Sequence, residues 1–216
     1  FSDKLEIIKA IRKKNNVLSN SLKTNILIET FNNKILNKKT IINSVSLNSK
    51  DVKKNSAFFG VKGQKFDGNK FGVEAIKNNA ILAITNKKFK DHRNIFSKNP
   101  FDKLNKFSSV YRKSLDSNNI AITGSAGKTS VKDLTGFCLD KLDKTYYSKN
   151  SFNNKYGVPL SIINSPQSTK FSVLEVGMDK KGEIDTLTKL IRPNLGLITN
   201  ISYAHIKNFK NLDEIA

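Results

Sequence analysis

The sequence contains one cysteine, no tryptophan and few acidic residues, with 18 Asp and Glu against 38 Lys and Arg. The single cysteine, Cys138, excludes an internal disulfide bond and is typical of proteins from a reducing compartment. No apolar run approaches the roughly 20 residues that a membrane-spanning helix needs. Lysine and asparagine interrupt every apolar stretch near the first residue, so the pattern of a secretory signal peptide is not found there. The composition therefore predicts a cytoplasmic protein.

The net charge of +20 has two interpretations. A strongly basic chain can be a nucleic-acid-binding module, or the lysines can be scattered over solvated faces by compositional drift. The lysines do not form one block or alternate with aromatic residues on a single element, and acidic residues are mixed among them. We therefore favour the second interpretation and expect no nucleic-acid partner. An excess of positive charge also suits small anionic substrates.

The ends of the sequence predict a piece of a longer protein. The chain begins with Phe1 rather than methionine, and it stops at Ala216 within what reads as the start of a helix. Residues 2–14 predict a short amphipathic helix, because apolar residues recur there at helical spacing. Residues 15–40 are polar apart from short apolar runs, and they are interpreted either as a linker or as the irregular start of a domain.

From residue 40 onward, short apolar strands alternate with amphipathic helices. The predicted strands are 41–45, 56–61, 80–84, 119–123, 172–176 and 195–199, and the predicted helices lie around 71–76, 104–111, 131–142 and 184–191. Such alternation predicts an α/β fold with parallel sheets and helices on both sheet faces. We divide the chain into an N-terminal helix and linker at 1–39, a small α/β domain at 40–100 and a second domain at 101–216, with the boundary between the two domains near residues 98–116.

One predicted helix carries an unusually long apolar face. Its residues are Val131, Leu134, Phe137, Cys138 and Leu142. Apolar residues at helical spacing normally mark the face that packs on the core. We therefore expect this face to be buried, Cys138 included, because a cysteine in such a position behaves as a small apolar residue.

A glycine-rich loop follows one predicted strand and opens the next helix, with the sequence Thr123-Gly124-Ser125-Ala126-Gly127-Lys128-Thr129. This arrangement directs several backbone N–H groups and the positive end of the helix dipole to one point. Gly124 and Gly127 let the backbone approach a phosphate closely. Lys128 can neutralise β- and γ-phosphate charge, and Thr129 can bind Mg²⁺ through its hydroxyl. The loop therefore predicts a nucleotide triphosphate site, although Ile122 occupies the position where the common motif has its first glycine.

Other polar residues follow apolar strands and turns. Glu175 lies near the end of a strand, where it can bind Mg²⁺ or simply be a solvated carboxylate. His205 comes after the strand at 195–199 and is expected at the same sheet edge, although a lone histidine is more often structural. Asn153 and Asn154 precede a Gly and a Pro, and their local sequence indicates a turn.

Taken together, these motifs resemble the Mur ligase family. The motifs of the second half, in order, are Thr-Gly-Ser-x-Gly-Lys-Thr, Asn-Asn-x-x-Gly-Val-Pro-Leu, Glu-Val-Gly-Met, Gly-Glu-Ile and Thr-Asn-Ile-x-x-Ala-His. The first half is similar to the family through Asn48-Ser49-Lys50, the segment 57–63 and Phe66-Asp67-Gly68. The resemblance extends over roughly residues 40–216, and the linked motifs are far more specific than any one of them alone.

The resemblance implies a small N-terminal α/β domain that binds a UDP-sugar, followed by part of a central P-loop domain with a parallel sheet that binds ATP. The family's C-terminal domain is absent from the sequence. The implied activity is that of an ATP-dependent amide ligase of peptidoglycan precursor synthesis, which acts through an acyl phosphate. Within the family, the motifs are most similar to the member that joins D-alanyl-D-alanine to UDP-N-acetylmuramoyl-tripeptide. Because a third domain is missing, we expect the 216-residue chain alone to be inactive as a ligase.

Roles for single residues are also implied by the resemblance. Catalytic roles fall on Lys128, Glu175 and His205. ATP contacts fall on Thr123, Gly124, Ser125, Ala126, Gly127, Lys128, Thr129 and Asn200. Mg²⁺ would be held by Thr129, Glu175 and His205, and the UDP-linked substrate would be contacted by Ser49, Gly63, Asp67, Gly68, Asn153 and Asn154.

Some features depart from the family or leave alternatives open. Lys50 stands where the family usually has arginine, and lysine cannot make the bidentate contacts of arginine. The first residues resemble the end of the preceding ligase of the pathway, as in a fusion of two enzymes, or they form an ordinary N-terminal helix. The competing functions are another P-loop ligase or phosphotransferase and, less favoured, a basic nucleic-acid-binding module. A monomer is expected, but the sequence leaves the oligomeric state open.

Overall fold

The computed structural model describes residues 22–31, 41–63, 66–148, 151–203, 208–209 and 211–215. It divides into two compact units, Phe1–Tyr111 and Arg112–Ala216. Among the described residues, no helix is long and apolar enough to cross a membrane. The helix predicted over residues 2–14 lies outside the described part of the chain.

The first unit contains a parallel sheet of four strands in the order β1-β2-β3-β4. Its elements are α1 (22–31), β1 (Ser44–Ser46), β2 (Ser56–Phe59), α2 (Gly72–Lys77), β3 (Ala80–Thr85), β4 (Asn94–Phe96) and α3 (Pro100–Lys113). Every residue of β2 is buried, as expected for an inner parallel strand. Phe58 packs with residues of α2 and β3 in the core of the sheet.

Helix α1 decides between the two interpretations of residues 15–40 for the part that the structure describes. Residues 22–31 are helical, and Ile26 and Leu27 are buried. The backbone N–H of Ile42 donates to the hydroxyl of Thr24 at 3.3 Å, which ties this helix to the chain leading into β1. The described part of the segment therefore belongs to the domain and is not a linker. Buried lysine and threonine side chains gave it a polar appearance in the sequence.

The boundary between the two units falls after Tyr111, inside the region 98–116 where the sequence placed it, so most of helix α3 lies before the boundary and not in a domain that begins at residue 101. The first compact unit extends to Tyr111. Leu104, Phe107 and Tyr111 are fully buried, and the ring of Phe107 stacks on Phe59 with centroids 6.5 Å apart. Most of α3 thus contributes to the core of the first unit.

The second unit contains a parallel sheet in the order β6-β7-β5-β8. Its elements are β5 (Asn118–Thr123), α4 (Lys128–Leu139), β6 (Thr145–Tyr147), α5 (Gly157–Asn164), β7 (Phe171–Glu175), α6 (Glu183–Ile191), β8 (Leu195–Ile198) and α7 (Leu212–Ile215). Ile122 of β5 is in register with Glu175 of β7, and Thr123 is in register with Ile198 of β8. The carboxyl ends of these three strands therefore meet at one edge, and the α/β fold with parallel sheets is confirmed.

The predicted apolar face of α4 is not its packing face. The exposed fractions of Leu134, Phe137 and Leu142 are 65%, 57% and 76%, and Cys138 is also exposed. The buried residues of the helix are Lys132 and Gly136. A Cβ atom at Gly136 would lie 2.5 Å from the ring of Tyr147, so α4 approaches the sheet through its glycine. The expectation that Leu134, Phe137 and Cys138 are core residues is wrong because this close approach turns their side of the helix outward. Val131 is half-buried, and Leu142 lies beyond the end of α4 and is also exposed.

Candidate functional site

The loop between β5 and α4 has the backbone conformation of an anion site. Gly124 and Gly127 have φ angles of 135° and 78°, values that glycine adopts most readily. Gly127 is the N-cap of α4, and no side chain caps the helix there. A Cβ atom on Gly127 would meet no atom within 4 Å, so the space beside it is open. The first N–H groups of a helix have no intrahelical partner, and the helix dipole attracts anions to them, which fits a bound phosphate.

The loop is fastened to the segment that follows β8. The backbone oxygen of Asn200 accepts the N–H of Ser125 at 3.0 Å, and its side-chain oxygen accepts the N–H of Ala126 at 2.8 Å. The hydroxyl of Thr199 donates to the backbone oxygen of Ala126 at 2.6 Å. The Ser125 hydroxyl donates to the backbone oxygen of Ser202 at 2.9 Å, and the N–H of Ser202 lies 2.8 Å from the same hydroxyl oxygen.

Asn200 therefore positions the loop in this structure. The N–H groups of Ser125 and Ala126 are already bonded to it, so the N–H groups from Gly127 onward are the ones left to face an anion. A direct contact between Asn200 and a nucleotide, which the sequence predicted, stays a prediction. Thr199 and Ser202 were not selected from the sequence, because their hydrogen bonds to Ala126 and Ser125 join segments that are far apart along the chain.

Lys128, the first residue of α4, folds back over the loop. Its ammonium group donates to the backbone oxygens of Gly124 and Ser125, the second at 3.3 Å. The positive charge is thus held beside the uncapped helix N-terminus. Both features attract a phosphate group.

Glu175 is the buried acid of the site, with an exposed fraction of 1%. One carboxylate oxygen accepts the hydroxyl of Thr129 at 2.8 Å, and the other accepts the side-chain amide of Asn153 at 2.7 Å. Within the described ranges, no Lys, Arg or His forms an ion pair with it. A buried carboxylate with only neutral partners is costly, and carboxylate and hydroxyl oxygens are the ligands that Mg²⁺ prefers. Thr129 and Glu175 thus fit a magnesium site next to the phosphate loop.

Asn153 is held tightly against the end of β7. Its backbone oxygen accepts the N–H of Gly177 at 2.7 Å. A Cβ atom on Gly177 would lie 3.0 Å from the side-chain carbon of Asn153 that carries the amide. A glycine at this position therefore leaves room for the amide that contacts Glu175, and Gly177 is another residue that sequence reasoning did not select.

Asn154 has a different role from its neighbour. Its side-chain oxygen accepts the backbone N–H groups of Tyr156 and Gly157, each at 3.0 Å, at the start of α5. This is the turn that the local sequence indicated. In this structure the Asn154 side chain organises the turn, and its contact with a substrate stays a prediction.

His205 lies outside the described residues, so its place relative to Glu175 is not defined. In the part of the chain that the structure describes, no group of three or more His, Cys, Asp or Glu is arranged to hold a metal ion. Of the three metal ligands predicted from the sequence, the structure describes two, Thr129 and Glu175, and these two side chains are hydrogen-bonded to each other.

In the first unit, the residues predicted to contact a UDP-sugar lie in two short segments. Ser49 is buried, and its backbone oxygen accepts the side-chain amide of Asn78 at 2.9 Å. In the loop after β2, Gly63 donates its N–H to Phe66 at 2.8 Å and Gly68 donates to Val61 at 3.0 Å. These two hydrogen bonds join the beginning of the loop to its end.

Asp67 and Asn69 fix this loop. The Asp67 carboxylate accepts the side-chain amide of Asn69 at 2.7 Å and its N–H at 3.1 Å, and these hydrogen bonds, the side-chain one first, lower the pKa of Asp67. The side-chain oxygen of Asn69 accepts the N–H of Asn86 at 2.8 Å, beyond the end of β3. Asn69 was not selected from the sequence, where it reads only as part of a polar turn.

Comparisons with known proteins give two family matches. A sequence model described as the Mur ligase family, catalytic domain, matches residues 41–127, and one described as the Mur ligase middle domain matches residues 122–216. UDP-N-acetylmuramoyl-tripeptide–D-alanyl-D-alanine ligase of Rickettsia prowazekii is 35% identical over 81% of this chain and 39% of the relative. The enzyme of the same name from Bacillus subtilis is 30% identical over 82% of this chain and 40% of the relative.

Two solved structures are also similar. MurF from Acinetobacter baumannii matches with a TM-score of 0.78 and 26% identity, over 89% of this chain and 44% of that one. MurF ligase from Thermotoga maritima in complex with ADP matches with a TM-score of 0.70 and 30% identity, over 80% of this chain and 40% of that one. The chain spans about two fifths of the length of the curated relatives.

Proposed function

Because this chain belongs to the Mur ligase family, we propose that it carries the nucleotide end of an ATP-dependent ligase that joins D-alanyl-D-alanine to UDP-N-acetylmuramoyl-tripeptide. The observation that supports this proposal best is the hydrogen bond from Thr129 to the buried Glu175, beside the uncapped N-terminus of α4. This hydrogen bond brings the acid proposed to bind Mg²⁺ next to the helix N-terminus proposed to bind phosphate, at one edge of the sheet.

In the proposed reaction, the terminal carboxylate of the tripeptide takes the γ-phosphoryl group of ATP, and ADP leaves. The amine of D-alanyl-D-alanine then attacks the acyl carbon, loses a proton and displaces phosphate. Little covalent chemistry falls to the protein, so its contribution is positioning and charge neutralisation.

Each residue of the site has a defined part in this proposal. The N–H groups at the start of α4 and the ammonium of Lys128 bind the β- and γ-phosphates. Thr129 and Glu175 would hold Mg²⁺, which supplies charge neutralisation between the phosphate groups when bound. Asn153 orients the carboxylate of Glu175, and His205 is a proposed further metal ligand.

The first unit is proposed to bind the UDP part of the substrate. Ser49 and the loop containing Gly63, Asp67 and Gly68 would contact it, with Asn69 keeping the loop in shape. Lys50 would supply a point charge in place of the two parallel hydrogen bonds of an arginine. A cytoplasmic, monomeric enzyme without a nucleic-acid partner completes the proposal.

A coupled ADP-release assay tests the reaction on the polypeptide that contains this chain. ADP release should require both UDP-muramoyl-tripeptide and D-alanyl-D-alanine, and mass spectrometry should find a new amide. A stable phosphorylated product without an amide would contradict the ligase and indicate a phosphotransferase.

Replacing Lys128 with methionine should weaken ATP binding by about tenfold to a hundredfold. The substitution removes a charge-assisted contact worth about 1.5–3 kcal/mol and keeps most of the length of the side chain. AMP binding should change little, because AMP lacks the phosphates that Lys128 contacts. Isothermal titration of both nucleotides measures the effect, with Lys141→Met as the matched control, since Lys141 is an exposed lysine just past the end of α4. Equal losses for ATP and AMP would mean that Lys128 does not contact the phosphates.

A further inference from the structure

Lys132 is a buried lysine that the proposed chemistry does not use. Its exposed fraction is 1%, which places it among the largest fully buried side chains of the described residues. Lysine is almost never fully buried unless it is paired, because removing its charge from water is costly. The residue lies on α4 one turn beyond Lys128. Its burial calls for a specific partner.

The partners of Lys132 connect α4 to the end of β6. Its ammonium donates to the backbone oxygen of Ser148 at 2.5 Å. It also forms an ion pair at 3.0 Å with Asp133, whose side chain is 55% exposed. Ser148 is fully buried, and its N–H donates to Val173 of β7 at 3.2 Å. Lys132 therefore fixes the point at which the chain leaves the sheet.

Asn153, whose amide contacts Glu175 at 2.7 Å, lies five residues after Ser148 in the sequence, and residues 149 and 150 between them are outside the described part of the chain. Thr129 contacts the same carboxylate from α4, three residues before Lys132 and hence on the same side of the helix. One side of α4 thus bonds both to the metal-binding acid and to the start of the segment that orients this acid.

We propose that Lys132 is a positioning residue that holds Asn153 against Glu175 and thereby sets the affinity of the site for Mg²⁺. This inference rests on the proposed function, which places Mg²⁺ and ATP at this edge. Lys132 acts through Asn153 and does not contact the nucleotide. Groups that orient a metal-binding carboxylate typically change metal affinity by tenfold to a hundredfold when they are removed.

The test measures ATP binding by the 216-residue chain over a range of Mg²⁺ concentrations, using calorimetry. Lys132→Met should raise the Mg²⁺ concentration for half-maximal enhancement by about tenfold. ATP affinity without Mg²⁺ should change less than about twofold, and Lys132→Arg should recover part of the Mg²⁺ response because it can still donate to Ser148. Lys141→Met is the control and should match the wild type.

A double-mutant cycle separates this role from general stabilisation of the fold. In an Asn153→Ala background, Lys132→Met should raise the Mg²⁺ concentration for half-maximal enhancement by less than about a further twofold, because the side chain through which Lys132 acts is already absent. Additive effects, or an unchanged Mg²⁺ response in Lys132→Met, would overturn the inference. If Lys132→Met does not fold, Lys132→Leu, which is shorter and also lacks a donor to Ser148, carries the same comparison in both backgrounds.

Failure of the proposed function gives a different result. In that case the wild-type chain itself shows no Mg²⁺-dependent ATP binding. Failure of the inference alone leaves the wild-type response intact and removes only the difference between the Lys132 variants.

Discussion

Replacing Gly124 with alanine is expected to reduce ATP binding by more than about a hundredfold, the largest effect on binding that we predict. A Cβ atom at this position would lie 2.1 Å from the hydroxyl oxygen of Thr199 and 3.0 Å from backbone atoms of Asn200. Both residues hold the phosphate loop, so the loop must move away from its anchors. The φ angle of 135° adds strain of about 1–3 kcal/mol for any residue with a side chain.

Two other glycines provide graded controls. Gly127 also has a positive φ, but a Cβ atom there would meet nothing within 4 Å, so Gly127→Ala should cause a smaller loss. Gly196 on β8 has neither a positive φ nor a close neighbour, and Gly196→Ala should bind ATP like the wild type. Titration calorimetry with ATP measures the affinity of each variant, which should be lowest for Gly124→Ala, intermediate for Gly127→Ala and equal to the wild type for Gly196→Ala. Wild-type affinity in Gly124→Ala would show that the anchors do not shape the site.

Replacing Lys23 with methionine is expected to stabilise the protein by about 1–3 kcal/mol at pH 7. Burial lowers the pKa of Lys23 to about 8 from its ordinary value of 10.5. Lowering a pKa by one corresponds to about 1.4 kcal/mol. The gain is reduced by the loss of a hydrogen bond to Asn43 at 3.3 Å and of the contact with the Tyr111 ring, whose centroid lies 5.3 Å away. Urea unfolding followed by circular dichroism measures the difference.

The stability gain of Lys23→Met over the wild type should decrease as the pH rises. Below pH 8 both folded and unfolded chains carry the charged lysine, and the full penalty is present. Between pH 8 and 10.5 the folded state releases its proton first, so the unfolded state binds more protons and wild-type stability rises relative to the variant. The advantage of Lys23→Met should therefore shrink as the pH rises from 8 to 10. The exposed Lys54→Met is the control, and an advantage that does not change with pH would contradict the burial account.

The sequence placed the glycine-rich loop between a strand and a helix, and Glu175 at the end of a strand, and the structure has both there because these positions depend on local pattern. Strand order then follows from the rules of parallel sheets, and the register of Ile122 with Glu175 brings the two features to one edge. Once these strands pair in this register, Thr129 at the start of α4 lies within hydrogen-bonding distance of Glu175. The α/β class and the family were likewise predictable.

Other features depended on contacts that no local pattern records. The apolar face of α4 was predicted as core, but the close approach of Gly136 to Tyr147 selects the opposite face. The anchoring role of Asn200 depends on its position across the sheet edge from the loop. The buried Lys132 looked like one more surface lysine in a basic chain.

The most direct test of the central claim is ATP, ADP and AMP titration of the 216-residue chain with and without Mg²⁺, comparing the wild type with Glu175→Gln. Glutamine keeps the size of the side chain and one acceptor oxygen, but it replaces the second acceptor with an NH₂ donor and removes the charge that would bind the metal. We predict that ATP and ADP bind far more tightly than AMP, and that Mg²⁺ strengthens ATP binding in the wild type but not in Glu175→Gln. Equal binding of AMP and ATP, or an undiminished Mg²⁺ effect in Glu175→Gln, would contradict a nucleotide and metal site at this sheet edge.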